Sequence, residues 1–232
     1  MIPLKNRAQV KRLNVSNHSL GKPGEYASAV RLGRIVFHPE KKGSKVSSHR
    51  VAVKFFKPKH PLTPQRVRVY ESVIERLRTA GIKMPKIGFA EHEGQWVQVS
   101  GVYGSKSRTK LDIRLDSKYL QQPEHAERLL SVCLKLMNAG FPPFGDAIGV
   151  IQTSRGPLFR VYDLDALVDF EGLKPKKKSQ LMGLHLTSIF QLLSSAGWDY
   201  ISVMDALEPS LRNQDAKNVI AGLRAQLVRG GH

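Results

Sequence analysis

The alternation of apolar and polar residues in the first half of the chain is typical of short β-strands. Two runs rich in Val, Ile and Phe, Ala29–Phe37 and Arg50–Phe56, have this character. Two shorter runs, Ile87–Ala90 and Gln95–Val99, flank a Glu93-Gly94 turn signal and predict a hairpin. Residues 1–19 are polar and basic with no clear period, and they fit either a tail or a first edge strand.

A helix is predicted between these strands. Thr63-Pro64 supplies an N-cap hydroxyl followed by proline at the first helical position. The apolar residues that follow lie three or four positions apart and form one helical face: Val67, Tyr70, Ile74 and Leu77. Gly81 ends the segment. The first part of the chain is therefore expected to hold a sheet and one helix.

The second half has the longer period of amphipathic helices. Helical register is found over Pro123–Ala139, Ser179–Ala196 and Ala216–Val228. Two apolar runs, Val150–Thr153 and Leu158–Leu164, predict a second hairpin between the first two of these helices. Strands followed by helices in this order favour an α+β fold.

A Gly/Ser-rich stretch, Gly101–Arg108, predicts the boundary between two parts of the molecule. We expect a sheet-rich N-terminal lobe over residues 1–103 and a mainly helical lobe over residues 104–232. The basic stretch Lys174–Lys178 is expected to be a loop before the helix that begins at Ser179.

The positive charge of the chain is concentrated in its first quarter. The formal net charge of the 232 residues is +18, and residues 1–60 hold 14 of the 37 Lys and Arg but only two of the 19 acidic residues. Such a gradient predicts that the N-terminal part attracts an acidic macromolecule, either a protein or a nucleic acid. The alternative is a solvated basic surface with no specific partner.

Composition also excludes several classes of protein. A single cysteine, Cys133, excludes a disulfide framework and any multi-cysteine metal site, and its place on an apolar helical face predicts a core residue. No apolar run approaches the ~18 residues of a transmembrane helix. The N-terminus lacks the apolar stretch of a signal peptide. We therefore expect a cytoplasmic protein, with export by a leaderless route still open.

Three groups of charged residues carry candidate chemistry. Lys54 lies within an apolar strand, where a shielded lysine needs either a polar cleft or an acidic partner, and the next helix offers Glu71 and Glu75. The alternative is a lysine at a sheet edge that points to water. Asp146 lies in the irregular loop that precedes the second hairpin. Asp163 and Asp165 lie at the end of that hairpin, where carboxylates can hold a hard cation. Each of these aspartates could instead cap a turn.

In this order, the residues resemble the protein-kinase-like fold over roughly Gly21–Ala196. Val51-Ala52-Val53-Lys54 is similar to the strand whose lysine holds nucleotide phosphates. The resemblance implies that Glu71 pairs with Lys54, with Glu75 as the alternative. Residues 101–104 would form the hinge behind the adenine. Gly24, Val30 and Gly101 would then contribute to nucleotide binding.

The resemblance also implies a mechanism. Asp146 matches the aspartate of the catalytic loop and would orient or deprotonate an acceptor hydroxyl. Asp163 matches the magnesium-binding aspartate, and Asp165 is a possible second ligand. The cofactors implied are ATP and Mg²⁺. The chain would be a compact, atypical kinase that transfers the γ-phosphate to a hydroxyl, most simply on a protein, and bacterial effectors are among the kinases of this size.

The sequence departs from the kinase pattern at three places. The glycine-rich loop is incomplete, Phe144 stands where histidine is common, and Ile151 occupies the position of the expected second metal ligand, an asparagine. Only 13 residues (166–178) separate Asp165 from the next predicted helix, too few for a long activation loop. These departures keep open the alternative of a pseudokinase that acts as a binding module. The basic charge of the N-terminal part keeps open a second alternative, a nucleic-acid-binding protein.

Overall fold

The computed structural model describes residues 10–20, 25–37, 48–101, 111–112 and 115–230, and these residues form an α+β fold. They contain one five-stranded sheet, one three-stranded sheet and six α-helices. The chain divides into two compact units. The first unit comprises Met1–Arg68 and Pro85–Ser105, and the second comprises Val69–Met84 and Lys106–His232. The α+β class expected from the sequence is confirmed, whereas the arrangement of two kinase-like lobes stays a prediction.

The first unit is built on an antiparallel sheet with the strand order β1-β2-β3-β5-β4. Its strands are longer than their sequence signals: β1 (Val10–Ser19), β2 (Ala27–Phe37), β3 (Ser48–Phe56), β4 (Ile87–His92) and β5 (Gln95–Gly101). The predicted hairpin is confirmed as β4 and β5, which turn at Glu93 and Gly94, both with positive φ. Of the two alternatives for residues 1–19, the edge strand is confirmed for the described part.

The two sides of this sheet differ in composition because successive side chains of a strand point in opposite directions. One side, which we call the core face, carries a cluster of buried apolar residues: Ile35, Val51, Val53, Phe55, Val97 and Val99. The opposite side carries Lys54, and we call it the Lys54 face. The alternation in β3 thus places the lysine on the other side of the sheet from the apolar cluster.

The outer strand β1 is irregular. Its pairing with β2 shifts register between Val10 and Arg12, and again between Val15 and Ser19. Such shifts are characteristic of β-bulges, which bend a strand and interrupt its ladder of hydrogen bonds.

Helix α1 (Pro64–Thr79) begins as predicted and continues from the first unit into the second. The Thr63 Oγ1 atom accepts a hydrogen bond from the Arg66 amide at 3.2 Å, as an N-cap should. The side of α1 that is buried carries the predicted apolar residues together with Val73.

The second unit contains the small sheet of β6 (Leu111–Asp112), β7 (Ile148–Thr153) and β8 (Gly156–Val161), in the order β6-β7-β8. Its further helices are α2 (Pro123–Asn138), α3 (Asp165–Glu171), α4 (Pro175–Ser195), α5 (Tyr200–Leu207) and α6 (Gln214–Gly230). No helix in the described part of the chain has the length and apolar character needed to cross a membrane.

Several sequence predictions for this unit were wrong in detail. The predicted strand over Leu158–Leu164 ends at Val161, and Asp165 begins α3, a helix that the sequence did not predict. The predicted basic loop at Lys174–Lys178 is the N-cap and first turn of α4, because Pro175 occupies an N-terminal helical position where its missing amide hydrogen costs nothing. Helix α5 was not predicted either. By contrast, Cys133 is confirmed as a core residue, and burial raises the pKa of its thiol to about 12.

Helices α1 and α2 end in the same way. Gly81 and Gly140 have φ values of +70° and +80°, and each follows the last turn of its helix. The next amide donates back to the helix in both cases, from Ile82 to the Leu77 carbonyl and from Phe141 to the Leu136 carbonyl. This pattern is the Schellman motif, which favours glycine at the left-handed position.

The two glycines differ in their surroundings, and this difference allows a matched test. A Cβ at Gly140 would lie 2.9 Å from Nη2 of Arg76, whereas a Cβ at Gly81 would have no atom within 4 Å. Arg76 cannot move freely, because it donates to Glu171 and to the Ala139 carbonyl, each at 2.5 Å.

We therefore expect Gly140→Ala to lower the free energy of unfolding more than Gly81→Ala does. Both variants bear the cost of a left-handed alanine, about 1–2 kcal/mol, and only Gly140→Ala also disturbs the Arg76 hydrogen bonds, for about 1 kcal/mol more. Urea denaturation of both variants measures the difference. Equal losses of stability would show that the Arg76 hydrogen bonds do not stabilise the end of α2.

Candidate active site

Lys54 belongs to a row of side chains that crosses the Lys54 face of the sheet. Val30 on β2 and Gln98 on β5 lie directly opposite Lys54, and Phe89 on β4 lies directly opposite Gln98. Directly opposed residues of antiparallel strands point to the same side of a sheet. The row is therefore Val30, Lys54, Gln98 and Phe89, on four neighbouring strands.

The next row on the same face has small residues at its centre. Ala52 lies opposite Leu32 and Ser100, and Ser100 lies opposite Ile87. Ala52 and Ser100 are partly exposed, whereas Ile87 is buried. The residues next to Lys54 in this row, on β3 and β5, thus have small side chains.

Lys54 is partly buried, and its ammonium lies 5.6 Å from the ring centroid of Phe56, two residues further along the same face. Its two predicted partners, Glu71 and Glu75, are exposed residues of α1. They belong to the second unit, whereas Lys54 belongs to the first. The pairing of Lys54 with either glutamate stays a prediction.

The structure describes only some of the residues that were predicted to contact the nucleotide. Val30 lies beside Lys54 in the row on the sheet. Gly101 is the exposed last residue of β5, and its amide donates to the Lys86 carbonyl at 2.9 Å. Gly24 lies outside the described residues. Residues 102–104, the rest of the predicted hinge, also lie outside them.

In the second unit, Asp146 and Asp163 lie at the same end of the β7–β8 hairpin. Ile148 pairs with Val161 at this end, and the Tyr162 amide donates to the Ala147 carbonyl at 3.0 Å. Asp146 lies two positions before Ile148, within the short 3₁₀ turn Gly145–Ala147, and Asp163 lies two positions after Val161. The hairpin register thus brings together two aspartates that are 17 positions apart in the sequence.

The phenol of Tyr162 lies close enough to both carboxylates to be affected by their charges. Burial, and then the negative charges of Asp163 and Asp146, raise the pKa of the Tyr162 phenol above its usual value. The phenol therefore stays neutral at physiological pH. Asp146 is exposed and Asp163 is partly buried, so one carboxylate faces solvent while the other is held closer to the fold.

Asp165 has a different environment from the other two aspartates. Only 2% of its surface is exposed, and its Oδ1 atom accepts a hydrogen bond from the buried Tyr70 hydroxyl of α1 at 2.5 Å. Its own amide donates to Oδ1 of Asp163 at 3.2 Å. Asp165 therefore links α1 to the start of α3, and its backbone helps to orient Asp163.

The structure adds His185 to the residues near Asp146. The imidazole of His185, on α4, lies against the ring of Phe144 with a centroid distance of 4.3 Å. Burial lowers the pKa of His185, while the negative charge of Asp146 acts in the opposite direction. A largely neutral imidazole thus stands close to the predicted catalytic carboxylate.

Helical spacing is the one signal in the sequence that could have pointed to His185. His185 lies three positions after Met182 and four before Ile189, both buried, so this spacing turns it toward the interior. No comparable signal was available for Tyr70, whose apolar ring alone accounts for its place in the predicted helical face. Its hydrogen bond with a residue 95 positions away follows from the tertiary fold.

Glu75 lines a surface groove of about 640 Å³ in the second unit. Arg76, Lys135 and Arg212 contribute to the same groove, which lies along the ends of α1 and α2. Its lining mixes one carboxylate with three basic residues, and neither Asp146 nor Asp163 takes part. The groove is thus separate from the pair of aspartates.

Within the part of the chain that the structure describes, no group of three or more His, Cys, Asp or Glu residues is arranged to hold a metal ion. A magnesium ion at a phosphate site needs less from the protein, because it keeps several waters and takes one or two carboxylates together with phosphate oxygens. The carboxylate of Asp163 suits that chemistry.

Comparison with known proteins does not assign the chain to a family. No protein-family model matches the sequence, and no curated protein matches it. The functional interpretation therefore depends on the residues themselves.

The hydrogen bond between Tyr70 and Asp165 can be tested by removing only the hydroxyl. We expect Tyr70→Phe to lower the free energy of unfolding by about 1.5–3 kcal/mol, because a buried carboxylate then loses a donor. The control is Tyr200→Phe, which removes a hydroxyl with no hydrogen bond among the described residues and should cost less than about 0.5 kcal/mol. If the two variants unfold at the same denaturant concentration, Tyr70 does not stabilise Asp165.

Proposed function

We propose that the chain is a compact kinase-like phosphotransferase that moves the γ-phosphate of ATP to a hydroxyl acceptor, most simply on a protein. The observation that carries the proposal is the position of Asp146 and Asp163 at one end of the β7–β8 hairpin. Phosphoryl transfer needs one carboxylate for the acceptor hydroxyl and one for the metal. A hairpin end with two neighbouring aspartates meets this need.

Each aspartate has a role that suits its environment. Asp146 is exposed and can accept a hydrogen bond from an incoming hydroxyl, which it orients toward the phosphate. Asp163 is partly buried and held by the Asp165 amide, which suits a metal ligand of fixed direction. Bound Mg²⁺ would neutralise charge on the phosphates. Asp165 stays a candidate second ligand, although Tyr70 already donates to one of its oxygens.

Lys54 is proposed to bind the phosphates of the nucleotide. A lysine ammonium is a compact cation that suits phosphate oxygens, and the partly buried stem of Lys54 restricts where the ammonium can go. Val30 and Ala52 flank Lys54 on the same face and would contact the nucleotide through apolar surface. Glu71, or else Glu75, is proposed to hold Lys54 in place.

ATP binding with and without Mg²⁺ tests this proposal. We expect Lys54→Met to weaken ATP binding by about 10–100-fold, the equivalent of a lost charge-assisted hydrogen bond. Asp163→Asn should remove the gain in affinity that Mg²⁺ provides, because an amide is a poorer ligand for a hard cation. Isothermal titration calorimetry measures both effects.

Two control variants make the same chemical changes elsewhere. Lys57→Met replaces a lysine just after β3, and Asp215→Asn replaces an exposed aspartate of α6. Both should bind ATP as the unmodified chain does. If neither Lys54→Met nor Asp163→Asn changes ATP binding, the assignment of these two residues to the nucleotide site is wrong. Binding without transfer to any protein acceptor would favour the alternative, a pseudokinase that acts as a binding module.

The basic N-terminal part is proposed to attract an acidic macromolecule. Arg34 on β2 and Arg50 on β3 lie directly opposite each other, and both are exposed. Like charges at opposed positions destabilise a sheet, so this pair is better explained by an anionic partner than by stability. Nucleic acid and an acidic protein share the chemistry that such a surface recognises.

The salt dependence of binding separates this role from catalysis. We expect the triple variant Lys41→Ser, Lys42→Ser and Lys45→Ser to bind a non-specific DNA duplex more weakly, most of all near 0.01 M salt, where the Debye length is about 30 Å. Its ATP affinity should not change. The control replaces Lys174, Lys176 and Lys177 with serine, an equal loss of charge outside the N-terminal part. If ATP affinity falls and DNA binding does not, residues 41–45 belong to the nucleotide site.

A further inference from the structure

Gln98 has a buried carboxamide oxygen without a hydrogen-bond partner among the described residues. Only 5% of the residue is exposed, and no donor among the described residues reaches its Oε1 atom. Buried polar side-chain atoms in proteins are nearly always paired, because an unpaired acceptor loses its hydration and gains nothing in return. A buried oxygen of this kind therefore calls for an explanation.

The position of Gln98 suggests what the oxygen is for. Gln98 lies directly opposite Lys54 on the Lys54 face, and the neighbouring row contributes the small residues Ala52 and Ser100. Side chains at directly opposed positions have Cβ atoms about 4.5–5.5 Å apart. A ligand whose phosphates meet the Lys54 ammonium, at the end of a long stem, can therefore place another part against Gln98.

We propose that Gln98 selects the nucleobase, with its Oε1 atom accepting a hydrogen bond from the exocyclic amino group at position 6 of adenine. The proposal deepens the proposed function and rests on it. Ala52 and Val30 would contact the faces or edges of the base, and Gln98 would supply the polar contact. The terminal torsion of a glutamine side chain is soft, so a small rotation can turn Oε1 toward the ligand.

A purely structural role for Gln98 makes a different prediction. A structural amide is held by hydrogen bonds, and its replacement by an apolar side chain destabilises the protein. The Gln98 oxygen has no such bond within the described part of the chain, so an apolar residue of similar length should be tolerated or should stabilise the ligand-free protein. Functional sites often carry such a cost in stability.

The experiment compares ATP with purine riboside triphosphate, which lacks the 6-amino group, in the full chain with Mg²⁺. We expect the unmodified chain to bind ATP about tenfold more tightly than the analogue, as the loss of one hydrogen bond implies. In Gln98→Met this ratio should fall to about one, mainly because ATP binds less tightly. The midpoint of thermal unfolding of the ligand-free variant should stay the same or rise by about 2–4 °C.

The matched control is Gln95→Met, the same change at an exposed position of the same strand. It should keep the tenfold preference for ATP. The proposal is overturned if Gln98→Met retains that preference, if the unmodified chain binds both nucleotides equally, or if the ligand-free variant is less stable than the unmodified chain. Binding of both nucleotides without discrimination would leave the proposed phosphotransferase intact. No binding of either nucleotide would refute the proposed function and this inference with it.

Discussion

A carboxyl group in a protein interior is tolerated only if hydrogen bonds satisfy its oxygens, and Asp165 is subject to this constraint. The Tyr70 hydroxyl supplies a donor from α1, while the Asp165 amide supplies one to Asp163. One buried residue, Asp165, thus connects a helix, the end of a hairpin and the start of another helix, through its side chain on one side and its backbone amide on the other. The orientation of the candidate metal ligand follows from this connection, because Asp163 lies in the short segment between β8 and α3.

Much of the fold could be predicted because local pattern and tertiary structure agree there. Strands β2 to β5 and helices α1, α2 and α6 have clear periodicity, and Thr63-Pro64 marks the beginning of α1 correctly. The short helices α3 and α5 were missed because seven or eight residues are too few for a period to show. The lysines before Ser179 resemble a loop, since positive charge is unfavourable at a helix N-terminus. Packing of the rest of α4 outweighs that local cost.

Some of the candidate functional residues could likewise be selected from the sequence, and others could not. Lys54, Asp146 and Asp163 could be selected from the sequence because each interrupts or directly follows an apolar run. Their neighbours Gln98 and His185 could not be assigned a role, since each sits in an apolar setting that is also compatible with simple packing. Cross-strand register brings Gln98 opposite Lys54, and helix packing brings His185 against Phe144. Both relationships depend on residues more than 40 positions apart, which periodicity does not reach.

The irregular outer strand β1 has a consequence for the behaviour of the protein in concentrated solution. A straight, regular edge strand offers a row of amides and carbonyls on which another chain can add a strand. The two register shifts in β1 interrupt that row, and exposed Arg12 places a charge on it. Edge-to-edge growth of the sheet into aggregates is thereby discouraged. A protein with a pI near 10.2 gains further protection from charge repulsion between its copies.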